Sequence, residues 1–120
     1  MVNITERGWP AHFIGADRCL FRRNTLIEGK IDSVIVSTIG DMHAHDSRAI
    51  QVIGAGRYYE TMVFGVKKDG EYIDADVSDQ RHFEAKWNIC ANSPEELPDD
   101  VDNLANDMHE AVVAEFTKRL

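Results

Sequence analysis

Arg57-Tyr58-Tyr59-Glu60-Thr61-Met62-Val63-Phe64-Gly65-Val66-Lys67-Lys68-Asp69-Gly70-Glu71-Tyr72-Ile73-Asp74-Ala75-Asp76-Val77-Ser78, residues 57–78, is the stretch on which the reading of the chain turns. Two runs that alternate apolar and polar residues flank Asp69-Gly70, a dipeptide suited to a two-residue hairpin loop because both positions tolerate positive φ. With that loop Lys68 faces Glu71, Val66 faces Ile73, Phe64 faces Ala75 and Met62 faces Val77, an apolar face closed by an ion pair. Lys67/Tyr72, Gly65/Asp74, Val63/Asp76 and Thr61/Ser78 then form a polar face. A slip of one residue would bury Asp74 and Asp76, so the pattern fixes the faces. One pair further out sets Glu60 against Asp79, which calls either for fraying or for a cation from elsewhere.

Upstream, Trp9-Pro10 leads into His12-Phe13-Ile14, a gap with Gly15, Ala16 and Asp17, and then Cys19-Leu20-Phe21, the pattern of a second hairpin. After Gly29, the run Ile31–Ile39 holds Val34-Ile35-Val36, too continuous for a strand with one wet face, so it is expected to be central and covered on both sides. Between Asp41 and Gly56 only Ile50, Val52 and Ile53 suggest a short edge strand. Downstream, Phe83, Ala85, Trp87 and Ile89 alternate with His82, Glu84, Lys86 and Asn88, as in a half-buried antiparallel strand.

Ser93-Pro94-Glu95-Glu96 starts a helix that Pro98 limits to one turn, and Asp99 or Asp100 restarts a longer one. Val101, Leu104, Ala105, Met108, Ala111, Val112 and Phe116 form its apolar stripe, and Lys118-Arg119 suit its C-terminal dipole. About 20 helical residues span about 30 Å, enough to cross a sheet of five strands. The predicted architecture is α+β: one domain, 1–120, with a meandering, mainly antiparallel sheet of five to six strands and a long C-terminal helix on one face.

A chain of 120 residues can bury a core without disulfides or metals, and no cofactor is expected. No apolar run of about 18 residues and no export leader is visible, which points to a cytoplasmic protein away from membranes, with Cys19 and Cys90 as free thiols. The net charge of −8 is divided unevenly, +2 over residues 1–68 and −10 over residues 69–120. That acidic half opposes counterion release from a nucleic-acid backbone, so direct DNA or RNA binding is disfavoured.

Two constellations invite chemistry. In extended backbone His43 and His45 would project to one side about 6.6 Å apart, near enough to share a metal with Asp41. The Asp-x-His-x-His pattern resembles the start of amidohydrolase-type enzymes over five residues, but those enzymes need a far longer barrel. Further ligands would have to come from Asp46, His82 or His109, and an exposed polar loop without an ion is the plainer reading. His12 and Cys19 fall diagonally on one face of the second hairpin, about 7–8 Å apart, within reach of a thiol–imidazole pair. A buried cysteine acting as a small hydrophobe is the plainer reading there too.

Arg22-Arg23 and Tyr58-Tyr59 suit recognition better. Adjacent strand residues point to opposite faces, so one of the arginines must meet the covered side, with Glu60 as its natural partner, and one tyrosine is left for a surface contact. Glu95, Glu96, Asp99, Asp100, Asp102 and Asp107 could occupy a basic groove on another protein, or be a solvated helix start.

Trp9 to Thr25, Gly-Arg-Tyr-Tyr-Glu-Thr at 56–61, Asp74-Ala75-Asp76-Val77 and Met108-His109-Glu110-Ala111-Val112-Val113 together resemble a group of small uncharacterised proteins encoded in bacterial phages and prophages. The resemblance implies a small accessory protein and transfers no catalytic residue. The leading expectation is a cytoplasmic protein that acts through protein–protein contacts, with Arg22, Arg23, Tyr58, Tyr59, Glu60, Asp74, Asp76, Asp99, Asp100 and Asp102 as binding residues. Its partner would be a protein, one with a basic surface or a second copy of the chain. The alternative is a small hydrolase using Asp41, His43 and His45 with a metal, or His12 and Cys19 as a thiol pair.

Overall fold

A computed structural model describes residues 2–7, 18–43 and 49–120. Its strands are β1 (Asn3–Glu6), β2 (Cys19–Glu28), β3 (Ser33–His43), β4 (Ile50–Gln51), β5 (Arg57–Asp69), β6 (Tyr72–Asp76) and β7 (Glu84–Cys90). A 3-10 helix of one turn, Pro94–Glu96, precedes helix α1 (Val101–Arg119). Among the described residues the strands form one antiparallel sheet in the order β1-β2-β3-β5-β6, with β4 added to β3 and β7 to β5. The fold is α+β, with one C-terminal helix packed on the sheet. Among the described residues no helix is long and apolar enough to cross a membrane.

The central hairpin forms with a register two residues away from the expected one. Val66 pairs with Ala75, Lys68 with Ile73 and Asp69 with Tyr72, which makes Gly70-Glu71 the loop instead of Asp69-Gly70. Of the two loop residues Gly70 alone has positive φ, +63°, at the first loop position, where a type II′ turn requires it. A two-residue shift leaves every side chain on its expected face, so alternation alone could not separate the two registers. Lys68 consequently reaches Glu28 at 3.7 Å instead of Glu71.

The hairpin is also shorter than expected. Asp76 Oδ1 accepts hydrogen bonds from Ser78 N at 3.1 Å and Ser78 Oγ at 2.6 Å, a local turn that lifts the chain off β5. The pairs Met62/Val77 and Thr61/Ser78 therefore do not form. β7 takes the vacated edge, with Thr61 opposite Trp87, Glu60 opposite Asn88 and Tyr59 opposite Ile89. β5 thus carries β3 along one edge and β6 and β7 in tandem along the other.

Both faces of the central strands β3 and β5 are buried over most of their length, which corrects the polar face expected for β5. β3, central as its apolar run predicts, buries Val34, Ile35 and Val36 completely. Val34 and Val36, with Ile27 and Val63, meet Val112, Val113 and Phe116 of α1 on one face. Leu26, Ile35, Phe64 and Ala75 form a separate core on the other face. The sheet curls about that second core. Arg7, just beyond β1, donates from Nη2 to the Ile73 carbonyl of β6 at 2.9 Å, although four strand spacings, about 19 Å, would separate those edge strands in a flat sheet.

The buried stripe of α1 is Ala105, His109, Val112, Val113 and Phe116. It is rotated from the expected stripe: Leu104 is 41% exposed, Ala111 is exposed, and His109 takes a buried position. The one-turn helix ended by Pro98 forms as expected. Of the second hairpin, Cys19-Leu20-Phe21 opens β2, and residues 8–17 lie outside the described residues.

Candidate functional site

Several of the residues singled out in the sequence meet where β3 leaves β5 after Gly40. Tyr59 is 1% exposed and its ring lies on Gly40, where an added Cβ would come within 2.0 Å of Cδ2. The Tyr59 hydroxyl donates to Asp102 Oδ1 at 2.5 Å, and Phe21 packs edge-on at 5.6 Å. Burial first, then the Asp102 carboxylate, push the Tyr59 phenol well above its ordinary range, so it acts as a donor and not as a base. The next residue, Asp41, takes a left-handed backbone with φ 52°. His43 Nε2 donates to its carboxylate at 2.7 Å.

Asp41 and His43 are therefore bonded to each other, and His45 lies outside the described residues. Of the suggested further ligands, Asp46 also lies outside them, while His82 stands near Asp32 at 3.6 Å and His109 is buried on the sheet-facing side of α1. No group of three or more His, Cys, Asp or Glu able to hold a metal occurs among the described residues. Cys19 is 1% exposed, and burial pushes its thiol up to about 11, which leaves little thiolate at neutral pH. Its expected companion His12 lies outside the described residues.

The arginine pairing differs from the expected one. Arg23 spans Glu6 at 2.9 Å and Glu110 at 2.6 Å, Arg22 is exposed, and Glu60 is met by Arg57 three residues earlier at 3.1 Å. Tyr58 and Tyr59 are both buried, because both faces of β5 are covered, and Tyr72 is the exposed tyrosine at 65%. Asp74 accepts from the Ala75 amide at 2.8 Å, and Asp76 closes its own turn. Asp99 and Asp100 are exposed, whereas Asp102 is held by Tyr59.

A polar chain, buried at Thr25, His109, Thr38 and Thr61 and reaching the surface at Glu6, lies between α1 and the sheet. His109 Nε2 stands 2.7 Å from Thr25 Oγ1 and Nδ1 stands 2.7 Å from Thr38 Oγ1. Thr38 continues to Thr61 at 2.6 Å, and Thr25 donates to Glu6 at 2.5 Å. The sequence signals this chain only by the spacing of His109 from Ala105 and Val112, since its partners come from four different strands.

At the other end of α1 a cleft of about 420 Å³ opens between the β2–β3 turn, the segment before β7 and the last helical turn. Val34 and Phe116 line its floor, and Asp32, Arg81, His82 and Arg119 line its rim. Arg119 lies over the Phe116 ring at 4.3 Å and is bonded to Glu84 at 2.9 Å. Ile31, in the adjoining turn, is 92% exposed, and Phe83 is 38% exposed. No protein-family model matches the chain, and no curated protein or solved structure matches it either.

Proposed function

We propose that this is a binding protein, an accessory factor of the phage type, that works through protein–protein contact at the end of the molecule holding Ile31, Phe83 and the cleft. The observation that carries the reading is the 92% exposure of Ile31 beside a cleft whose floor is apolar and whose rim carries Arg81 and Arg119. Exposed apolar anchors flanked by arginine are the composition of interface centres. A partner would cover the exposed Ile31 and Phe83 at the mouth of the cleft and present a carboxylate to Arg81, whose side chain is 77% exposed.

A second surface, at the start of α1, is favoured by the exposure of Glu95, Glu96, Asp99 and Asp100, which suits a partner with a basic face. Affinity capture from a bacterial lysate with three baits separates the two: the parent, Ile31→Ser with Arg81→Ala, and Asp99→Asn with Asp100→Asn. Loss of a captured protein with the second bait and retention with the third supports the cleft end. The opposite pattern transfers the function to the acidic end, and retention by both variants overturns the proposal.

A further inference from the structure

The chain through His109 runs in a single direction, because one end of it can only accept. The Glu6 carboxylate has no hydrogen to give, so the single hydroxyl hydrogen of Thr25 is spent on it at 2.5 Å. Towards His109, Thr25 can then only accept, and Nε2 must carry a hydrogen across the 2.7 Å contact. A neutral ring leaves Nδ1 bare, so Thr38 donates to it at 2.7 Å and Thr61 donates to Thr38 at 2.6 Å. Five groups from β1, β2, α1, β3 and β5 are satisfied only in this sense.

We infer that His109 is the Nε2–H tautomer fixed by Glu6, and that the chain is an acid-sensitive latch holding α1 on the sheet. A proton added at Nδ1 forces Thr38 to accept, turns its hydroxyl towards Thr61, and takes from the Thr61 hydrogen the acceptor it had in the chain. Thr38, Thr61 and His109 are 0% exposed, so no water is at hand to repair the reversal.

The charges around the ring leave burial as the deciding influence. Arg23 on β2 opposes a second cation, while Glu6 on β1 and Glu110 on α1 favour one; β3 and β5 contribute to the chain only the uncharged Thr38 and Thr61. Burial, with Arg23 acting in the same direction, lowers the His109 pKa from 6.5 to about 4. An unfolded chain binds the proton near pH 6.5 and the folded one only near 4, so the stabilisation is full above 6.5 and is lost as pH falls through that window. The folded-to-unfolded ratio would drop by up to about 300-fold across it. Glu6 acts in the same direction: partial burial raises its pKa, but hydrogen bonds from Arg23 and Thr25 prevail and hold it below 4.5. Release of α1 would uncover Ile27, Val34, Val36 and Val63, so acid would change the surface a partner meets.

The test is imidazole NMR on histidine-labelled full-length protein, with His109 assigned by His109→Gln. The expected result at pH 7 is a neutral Nε2–H ring that does not titrate above pH 5 while the protein is folded. Thr25→Val removes the acceptor and should move the ring to Nδ1–H, whereas Thr38→Val should leave it Nε2–H. An Nδ1–H ring in the parent, titration near 6.5 in the folded state, or tautomers that ignore Thr25→Val would overturn the inference. Urea midpoints between pH 6.5 and 4.5 provide the second arm. The parent should lose stability more steeply than His109→Gln, and equal slopes would remove the latch. If His109→Gln does not fold, Thr25→Val and Thr38→Val still decide the tautomer.

Discussion

The Tyr59 hydroxyl donates to Asp102 Oδ1 at 2.5 Å, which joins a ring buried in β5 to the first turn of α1. The two ends of this bond differ in their access to water, since Tyr59 is 1% exposed and Asp102 lies on the exposed side of the helix. Tyr59→Phe leaves a carboxylate that water can solvate and should cost about 1.5 kcal/mol, the low end for a bond to a charged group. Asp102→Ala strands a buried hydroxyl and removes a first-turn acid, and should cost about 2–3 kcal/mol. Urea denaturation of both variants checks the order. The reverse order would mean that the helix start is held by something other than this bond.

The two covered faces of β5 give a second expectation. Phe64→Ala should cost about 3–5 kcal/mol as a core truncation. Thr61→Ala, which would be almost neutral on a wet face, should cost about 1–3 kcal/mol because it breaks the chain through Thr38. Tyr72→Ser, at an exposed position, should stay within about 0.5 kcal/mol. Thermal or urea melts of the three variants report the ranking.

Glycine is required at two strand positions for different reasons. A Cβ on Gly40 would enter the Tyr59 ring at 2.0 Å, and that ring is pinned by Asp102 and Phe21. Gly40→Ala should therefore cost about 3 kcal/mol, the upper range for overpacking. A Cβ on Gly65 would meet the Asp79 carboxylate at 2.3 Å, a side chain on a turn that can give way together with Arg81. Gly65→Ala should cost about 1 kcal/mol, the lower end of that range. Equal losses by differential scanning calorimetry would contradict the contrast.

The cysteines should separate cleanly in native thiol labelling. Cys90 is exposed, while Cys19 is buried with its thiol pushed up to about 11. A disulfide reagent at pH 8 should modify one thiol rapidly in the folded protein and the second only after denaturant is added. Two fast thiols would mean that the strand end carrying Cys19 opens readily.

Much of the fold was legible from alternation and length: the β5–β6 hairpin, the central β3, β7, and the helix after Pro98. The misreadings have a common cause. Thr61 and His109 look like surface residues in any one-dimensional pattern, because what makes their burial tolerable is a partner brought from another strand. The hairpin register escaped because Asp69-Gly70 and Gly70-Glu71 both place glycine in the loop and give identical faces. Glu60 found its cation in Arg57, on its own strand, instead of in the Arg22-Arg23 pair, and no charge pattern separates those alternatives. The candidate site was legible only as separate pieces: Tyr59, Asp41, His43 and Asp102 could be named, but not their meeting. The cleft was invisible, since its walls come from a turn, a loop and a helix end far apart in sequence.

The tandem edge of β5 also sets an order of assembly. β6 reaches its place by zipping from a two-residue loop, a local event on the microsecond scale, whereas β7 must wait for an intervening segment to fold back. Until β7 arrives, residues 57–63 present an open backbone edge rich in aromatic and β-branched side chains, the kind of template on which chains associate. The Asp76 turn keeps β6 from growing into β7's place. That one carboxylate therefore acts during refolding as a stop signal: it keeps the edge vacant for the correct strand and thereby lengthens the interval in which the wrong one can bind.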